Sequence, residues 1–296
     1  MQGIFLQEFI FLKGLPLINK HLLIKSLNKS LNTKNIFFGI LITLLYSCHQ
    51  SDPEVKEYSL IWEDQFNGSE INTDHWEFQL GDGAQYGLWR WGNNEQQYYK
   101  KENARVSNGK LLIKAVAEEY NGYDYTSARI RTKNLADFQH GKIEASIRMS
   151  DAKGLWHAFW LLPTNPSENW PMSGEIDIME FIGNEPFEIL NTVHFANNFD
   201  QHQYLGGTTQ FANDKDFHVY SIEWDENKII WYLDDSETYR ILRSHPQIAN
   251  NWPFNAEFHI LLNTAVGGNL GGEIDHAALM SPKYMEVDYV KVYQKK

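Results

Sequence analysis

In segment after segment between Tyr58 and Tyr293, apolar and polar residues of this chain alternate, and helical periodicity is nearly absent. The clearest runs are 110–115 (KLLIKA), 141–149 (GKIEASIRM), 217–224 (FHVYSIEW), 228–233 (KIIWYL), 257–263 (EFHILLN) and 285–293 (MEVDYVKVY). A period of two sends successive side chains to opposite faces of a strand. Turn formers separate the runs: Ser107-Asn108-Gly109, Asp225-Glu226-Asn227 and Asp234-Asp235-Ser236. Many strands without helices predict an all-β antiparallel sandwich or jelly roll. A two-layer sandwich of this size can curve, and its concave face then makes a trough for an extended polymer. No linker, low-complexity tract or repeat interrupts the pattern, so residues 58–296 are expected to form one domain.

Charge narrows the choice of ligand. The whole chain carries −12, but residues 1–47 hold five lysines (13, 20, 25, 29 and 34) and one acid, Glu8. The remainder has 26 − 5 = 21 basic and 38 − 1 = 37 acidic groups, a net charge of −16. Such a surface repels phosphate backbones and anionic polysaccharides, which excludes nucleic acid as a partner and leaves a neutral glycan as the better fit. The chain has ten tryptophans. That is more than a core of this size requires, and rings left on show suit the flat apolar faces of sugars.

The strongest chemical signal is 174–181, Gly-Glu-Ile-Asp-Ile-Met-Glu-Phe. Glu175 and Asp177 are two apart and share a face of a strand. Glu180 is five from Glu175, and on a regular strand it would point the other way. A one-residue bulge near Ile178-Met179 restores the phase and turns all three acids to one side; bulges of this kind are common beside active sites. No lysine or arginine lies between Lys153 and Lys215 to neutralise the cluster within the sequence. Like charges at such spacing raise at least one pKa. The arrangement therefore reads as catalysis, with metal binding and a plain acidic strand as the alternatives. Glycosidic hydrolysis needs one ionised and one protonated carboxyl group, and a third acid between them can set the proton distribution. On a flat strand Glu175 and Glu180 would stand about 13 Å apart at Cα. Two long Glu side chains on a concave strand can close that gap toward the retaining separation of about 5–5.5 Å.

These residues resemble the bulged signature of glycoside hydrolase family 16, and the resemblance runs from about Ile61 to Tyr293. It includes Trp91-Gly92-Asn93-Asn94-Glu95-Gln96-Gln97-Tyr98-Tyr99, Tyr125-Thr126-Ser127-Ala128-Arg129, and the run 154–163 (GLWHAFWLLP). Thr192-Val193-His194-Phe195 and 263–268 (NTAVGG) complete it. The ensemble is most similar to the laminarinase branch, endo-acting on β-1,3-glucan. The resemblance implies a concanavalin-like β-jelly-roll sandwich, retention of anomeric configuration, and no cofactor for catalysis. It implies Glu175 as nucleophile, Asp177 as the group tuning its neighbours' protonation, and Glu180 as general acid and then base. Trp156, Trp160 and Trp170 match positions lining the subsites, by stacking or by core packing, and Trp89 and Trp91 would extend the trough. Asn94 and Arg129 would bond sugar hydroxyls on the non-reducing side, with a structural ion pair as the other reading of Arg129. His194 would lie on the leaving-group side, or be a satisfied core histidine. A structural calcium on the convex face would draw on Glu63, Gly109 and Asp288. His157, Ala128 and Gln96 depart from the usual Pro, Gly and Leu, and bear on fine specificity rather than on the acids. A mixed-linkage glucanase, a galactanase, a transglycosylase of the same fold and a non-catalytic glycan-binding lipoprotein are the competing readings. The Asn93-Asn94-Glu95 and Val266-Gly267-Gly268 segments count against galactans, and intact Glu175 and Glu180 against a mere binder.

The beginning of the chain reads as an export signal. Residues 36–45 (IFFGILITLL) form a ten-residue apolar run, preceded by Lys25, Lys29 and Lys34 and followed by Ser47. That is too short for a membrane span of about 20 residues and has the layout of a secretory signal, residues 1–47. The sole cysteine, Cys48, follows Leu45-Tyr46-Ser47, which resembles a bacterial lipobox. Cleavage before Cys48 and lipidation of its thiol would anchor the protein at the bacterial cell envelope, at the outer membrane or cell surface. Residues 48–57 would be a polar tether, and a monomer is expected. A lone cysteine excludes an internal disulfide, so the fold must rely on its core.

Overall fold

The computed structural model describes residues 58–212 and 215–296. The signal run 36–45, Cys48 and the tether lie outside the described residues. The strands, in chain order, are β1 (Tyr58–Asp64), β2 (Glu77–Phe78), β3 (Gln97–Tyr99), β4 (Ala104–Val106), β5 (Leu111–Tyr120), β6 (Tyr123–Ser127), β7 (Arg129–Arg131), β8 (Asp137–Phe138) and β9 (Gly141–Met149). They continue with β10 (Leu155–Pro163), β11 (Glu175–Ile182), β12 (Glu188–Ala196), β13 (His202–Gln210), β14 (His218–Trp224), β15 (Lys228–Leu233), β16 (Ser236–Leu242), β17 (Phe258–Val266) and β18 (Lys283–Lys295). Two four-residue helical turns, Gly268–Gly271 and His276–Leu279, are the only α-helix among the described residues. No described helix is long and apolar enough to cross a membrane.

The strands form two sheets. One runs β16-β15-β14-β9-β18-β5-β6-β3, with β1 added on β18 and β4 on β5; the other runs β13-β12-β11-β10-β17-β7-β2, with β8 added on β17. All pairings except β3 with β6 are antiparallel. The inner faces meet in one apolar core. Ile143, Ala145 and Ile147 of β9 and Val287, Val290 and Val292 of β18 come from the first sheet. Phe159 and Leu161 of β10, Ile176 and Phe181 of β11, and Ile260 and Leu262 of β17 come from the second. Trp76, Trp224 and Trp231 are fully buried there. Truncating any of them to Ala should cost about 3–5 kcal/mol.

The turns follow their sequence. Asn108 and Gly109 both take positive φ, and Ser107 and Lys110 exchange backbone hydrogen bonds, closing the hairpin from β4 to β5. Asp234 and Asp235 do the same between β15 and β16. Three strands were carried by less obvious patterns. Strand β13 (HQYLGGTTQ) alternates in exposure but is poor in apolar residues, as suits an edge. Strand β17 is buried at all nine positions although it carries His259, Asn263 and Thr264. Strand β5 extends five residues past Ala115, through Tyr120.

Candidate active site

Strand β11 carries the irregularity that its spacing demands. Against β10, Met179 pairs with Phe159 and Asp177 with Trp160, so Ile178 has no partner. Against β12, the register breaks between Asp177 and Glu180. Ile178 and Met179 are consecutive yet both join the core. Beyond them Glu180 regains the phase of Glu175 and Asp177, and the three acids share the face turned away from the other sheet. On an outer face these groups would be exposed if the sheet were flat and bare. Asp177 is 3 % and Glu180 6 % exposed, so this face is a walled recess.

The floor of the recess follows from register. Across β11 from Glu175 stands His194 of β12, and across β12 from His194 stands Tyr204 of β13. On the other side, Ala158 opposes both Glu180 and Asn263, and Asn263 opposes Arg129 of β7. Trp156 and Trp160 share the face of Ala158 by period two. Five adjacent strands thus place His194, the three acids, two indoles, an amide and a guanidinium in one row.

Glu175 and Glu180 each meet an N–H donor, while Asp177 Oδ2 is buried with no hydrogen-bond partner. Trp170 Nε1 donates to Glu175 Oε2 at 2.7 Å, and Trp156 Nε1 donates to Glu180 Oε1 at 3.0 Å. His194 Nε2 lies 3.2 Å from Asp177 Oδ2. Carboxylate oxygens of Glu175 and Asp177 and a ring nitrogen of His194 converge within 4.8 Å. The indole N–H groups of Trp170 and Trp156 already occupy oxygens of Glu175 and Glu180, which favours acid–base chemistry over the metal alternative.

Burial dominates the electrostatics. It raises the Glu175 carboxyl to about 8, helped by Asp177, while His194, the Trp170 N–H and Arg129 pull it back down. Burial also holds Asp177 up at about 8, against the hydrogen bond from Glu175. Glu180 is raised well above the ordinary carboxylate value by burial, then by the charge of Asp177. All three carboxyls are therefore raised, so the cluster holds protons at neutral pH, and Glu180 is the glutamate placed to give one up. The groups that favour charge, Trp170, His194 and Arg129, gather on Glu175.

The remaining candidates divide by exposure. Trp170 is 49 % exposed and free to stack on a sugar, whereas Trp156 is 9 % exposed and offers chiefly its edge. Trp160 is half-buried and donates to Asn263 Oδ1 at 2.8 Å. Asn94 is exposed, in the left-handed region, and donates to Asn269 Oδ1 at 2.8 Å. Arg129 is buried; its Nε donates to Gln79 Oε1 at 2.6 Å, and its guanidinium lies between the Trp91 and Trp160 rings at 4.5 and 4.7 Å. Trp91 is 4 % exposed and belongs to that stack rather than to an extended trough, while Trp89 is 64 % exposed. His194 is partly exposed at the recess, not a core histidine.

One group of functional residues was not picked out by sequence reasoning. Glu95 is buried and accepts from Gln97 Nε2 at 2.5 Å and from Tyr99 Oη at 3.0 Å. Tyr99 Oη accepts in turn from Asn263 Nδ2 at 3.2 Å. Burial raises the Glu95 carboxyl and the Arg129 charge opposes it. This network fixes Asn263, hence Trp160, and compensates Arg129. The one acid in the segment Trp91–Tyr99 was its only sequence signal.

The residues implied for calcium lie elsewhere. Asp288 sits at a register break in β18 and pairs with Lys110 Nζ at 3.4 Å. Glu63 of β1 opposes Lys291, three residues along β18, and Gly109 ends the turn leading to Leu111, the partner of Val287. Carboxylate and carbonyl oxygens there are of the hard type calcium takes. The cation that Asp288 meets in this structure is the lysine.

The chain is similar to known proteins in sequence and fold. The sequence model of Glycosyl hydrolases family 16 matches residues 88–290. A β-glucanase of Rhodothermus marinus is 38 % identical over 275 residues, covering 86 % of this chain and 93 % of that protein. Glucan endo-1,3-beta-glucosidase A1 of Niallia circulans is 35 % identical over 269 residues, and the chain spans only 39 % of that longer protein. The X-ray structure of endo-β-1,3-glucanase from Pyrococcus furiosus aligns with a TM-score of 0.74 at 38 % identity, over 81 % of this chain and 95 % of that one. With the bulged acid strand on a two-sheet sandwich, these matches make the chain a member of glycosyl hydrolases family 16.

Proposed function

We propose that this protein is an endo-acting retaining glycoside hydrolase that cleaves β-1,3-glucan by double displacement. The observation that carries the reading is the bulged strand β11, which turns Glu175, Asp177 and Glu180 to one recessed face, where an indole N–H meets each of the two glutamates. Glu175 is the nucleophile: its carboxylate attacks the anomeric carbon while Glu180 gives its proton to the departing glycosidic oxygen. The glycosyl–Glu175 ester is then opened by water, whose proton passes to Glu180. Burial keeps Glu180 protonated, and Asp177, which stands between the two glutamates, adds to this whenever it is charged. Trp170 supplies an exposed stacking face beside the nucleophile. Trp156, through its bond to Glu180, orients the acid. Trp160, Arg129 and Asn94 belong to the non-reducing side, with Arg129 acting through the indoles it supports, and His194 to the leaving-group side.

Incubation with laminarin, mixed-linkage glucan and agarose, followed by reducing ends and product sizes, tests the assignment. Oligosaccharides released early from laminarin are expected. Release from none of the three would refute the hydrolase, and release from agarose alone would refute the glucanase. The proposal extends to export, from the apolar run 36–45, and to a lipid on Cys48. Radiolabelled palmitate incorporated into the wild type and not into Cys48→Ser would support it; equal labelling or none would contradict it. It also extends to a stabilising calcium at Glu63, Gly109 and Asp288, for which the register break at Asp288 and the turn beside it are the support, and to a monomeric state.

A further inference from the structure

His202 is the outermost member of a chain that begins at Asp177. Asp177 Oδ2 lies 3.2 Å from His194 Nε2. His194 Nδ1 lies 2.8 Å from His202 Nε2, and the two rings meet edge to edge, with centroids 5.1 Å apart and planes inclined by 22°. His202 is exposed, at the edge strand β13. On its other side, its ring packs on Trp170 at 4.7 Å, the indole that donates to Glu175.

We propose that His194 and His202 form a proton relay through which Asp177 exchanges its proton with solvent, with His202 as the positioning residue that fixes the tautomer of His194. This rests on the acid assignments above. A neutral imidazole has one N–H and one lone pair, so the state of one ring dictates the next. With Asp177 ionised, His194 Nε2–H turns onto Oδ2, the buried oxygen that lacks a hydrogen-bond partner and lies 3.2 Å away, and His194 Nδ1 accepts from His202 Nε2–H. With Asp177 protonated, its O–H donates to His194 Nε2, His194 Nδ1–H donates to His202 Nε2, and His202 carries its proton on Nδ1. Conversion is balanced. Asp177 gains the proton of His194 Nε2, His194 Nδ1 gains the proton of His202 Nε2, and His202 Nδ1 gains one from water. The net change is one solvent proton delivered to Asp177.

The surroundings suit this role. Burial, then the neighbouring His194, lowers the His202 pKa, which keeps the ring neutral and able both to donate and to accept. The titratable groups facing the pair are Glu175, Asp177 and Glu180 from β11 and Tyr204 from β13. No lysine or arginine stands between the rings to break the chain. A glucan filling the recess would seal Asp177 from water directly, and the relay leaves it an exit at the rim.

Two measurements test the relay. The first follows the ring nitrogens of His194 and His202 by ¹⁵N NMR from about pH 6 to 9, in the wild type and in Asp177→Asn. A coupled change of tautomer in both rings near 8, where Asp177 titrates, and its loss in the variant are expected. Ring nitrogens that ignore Asp177 would overturn the proposal, whether or not the protein hydrolyses glucan. The second compares pH profiles of kcat/KM. His202→Phe keeps the packing on Trp170 but ends the chain, and His202→Gln keeps a side-chain N–H donor. Without the directed donor, Asp177 is less charged at a given pH. Glu175 and Glu180 then ionise more readily, and both limbs should move to lower pH by roughly half a unit or more, while His202→Gln keeps the wild-type limbs. Unmoved limbs in His202→Phe with hydrolysis intact would refute the relay and leave the acid assignments standing. Loss of hydrolysis in the wild type would refute those assignments instead.

Discussion

The indole N–H of Trp170 bonds the Glu175 carboxylate at 2.7 Å although half of the Trp170 ring is open to solvent. One side chain thus holds the nucleophile and offers a face to the sugar. The two roles can be separated. Trp170→Phe keeps a ring and loses the donor. A hydrogen bond to a charged group is worth about 1.5–3 kcal/mol, so kcat should fall about tenfold to a hundredfold with KM little changed. Trp170→Ala should raise KM as well. Steady-state kinetics on laminarin of defined length distinguish the two.

The bulge makes a structural prediction. Deleting Ile178 alone would regularise β11 and leave Glu180 four residues from Glu175, on the same face, whereas deleting Ile178 and Met179 together would send Glu180 to the opposite face, into the core. Hydrolysis should be lost at least about a thousandfold in the double deletion. The double deletion should also lower Tm, because a carboxyl group then faces apolar neighbours. Ile178→Val, which keeps the bulge, should retain activity and lose about 0.5–1.5 kcal/mol of stability. Thermal melts and laminarin assays on the double deletion and on Ile178→Val check this.

Asp177 sets the acid limb. Its charge is the second cause, after burial, that holds Glu175 at about 8. Asp177→Asn removes that charge, so Glu175 should ionise at lower pH and the acid limb of kcat/KM should move down. Glu180 loses the same repulsion, so the alkaline limb should move down too. A pH–rate series on the variant tests both limbs.

Glu180 should cost stability. Its folded pKa is raised above the ordinary value near 4.5, so the folded state binds a proton more tightly than the unfolded chain does. Stability is then lost as pH rises above about 4.5, and the loss continues up to the folded value. Glu180→Gln escapes this. Its Tm should match the wild type near about pH 4.5 and exceed it at about pH 8, by about 2–4 °C for each kcal/mol relieved, while hydrolysis is lost. Differential scanning calorimetry at the two pH values measures it.

The calcium reading has its own test. If Asp288 takes an ion, millimolar calcium should raise Tm and a chelator should lower it, by an amount that grows with ion concentration. Asp288→Asn should abolish the response. An unchanged Tm in all conditions would leave Lys110 as the sole partner of Asp288.

The sequence disclosed the acid strand because its defect is arithmetic. Glu180 is out of phase by one residue, and only a bulge reconciles it with Asp177. The strands that alternate were legible for the same reason. Strand β17 was legible only as far as Asn263, and β13, with Tyr204 and Leu205 as its large apolar residues, carries no such contrast. What stayed hidden depends on strands distant in sequence. Arg129 between two indoles, Glu95 beneath them and His202 against His194 are products of register between β7, β17, β12 and β13. No local pattern encodes those meetings. Trp91 shows the converse: an aromatic beside an exposed partner reads as ligand-facing until its burial against Arg129 is seen.

The central claim is that Glu175 carries the sugar between the two halves of the reaction. Mass spectrometry of peptides from protein treated with a 2-deoxy-2-fluoro β-1,3-oligoglucoside bearing a good leaving group tests it directly, because the fluorine slows hydrolysis of the glycosyl ester. The account predicts one glycosyl adduct, on Glu175, absent from Glu175→Gln. An adduct on Glu180 or Asp177, or hydrolysis with inversion of the anomeric centre, would contradict it.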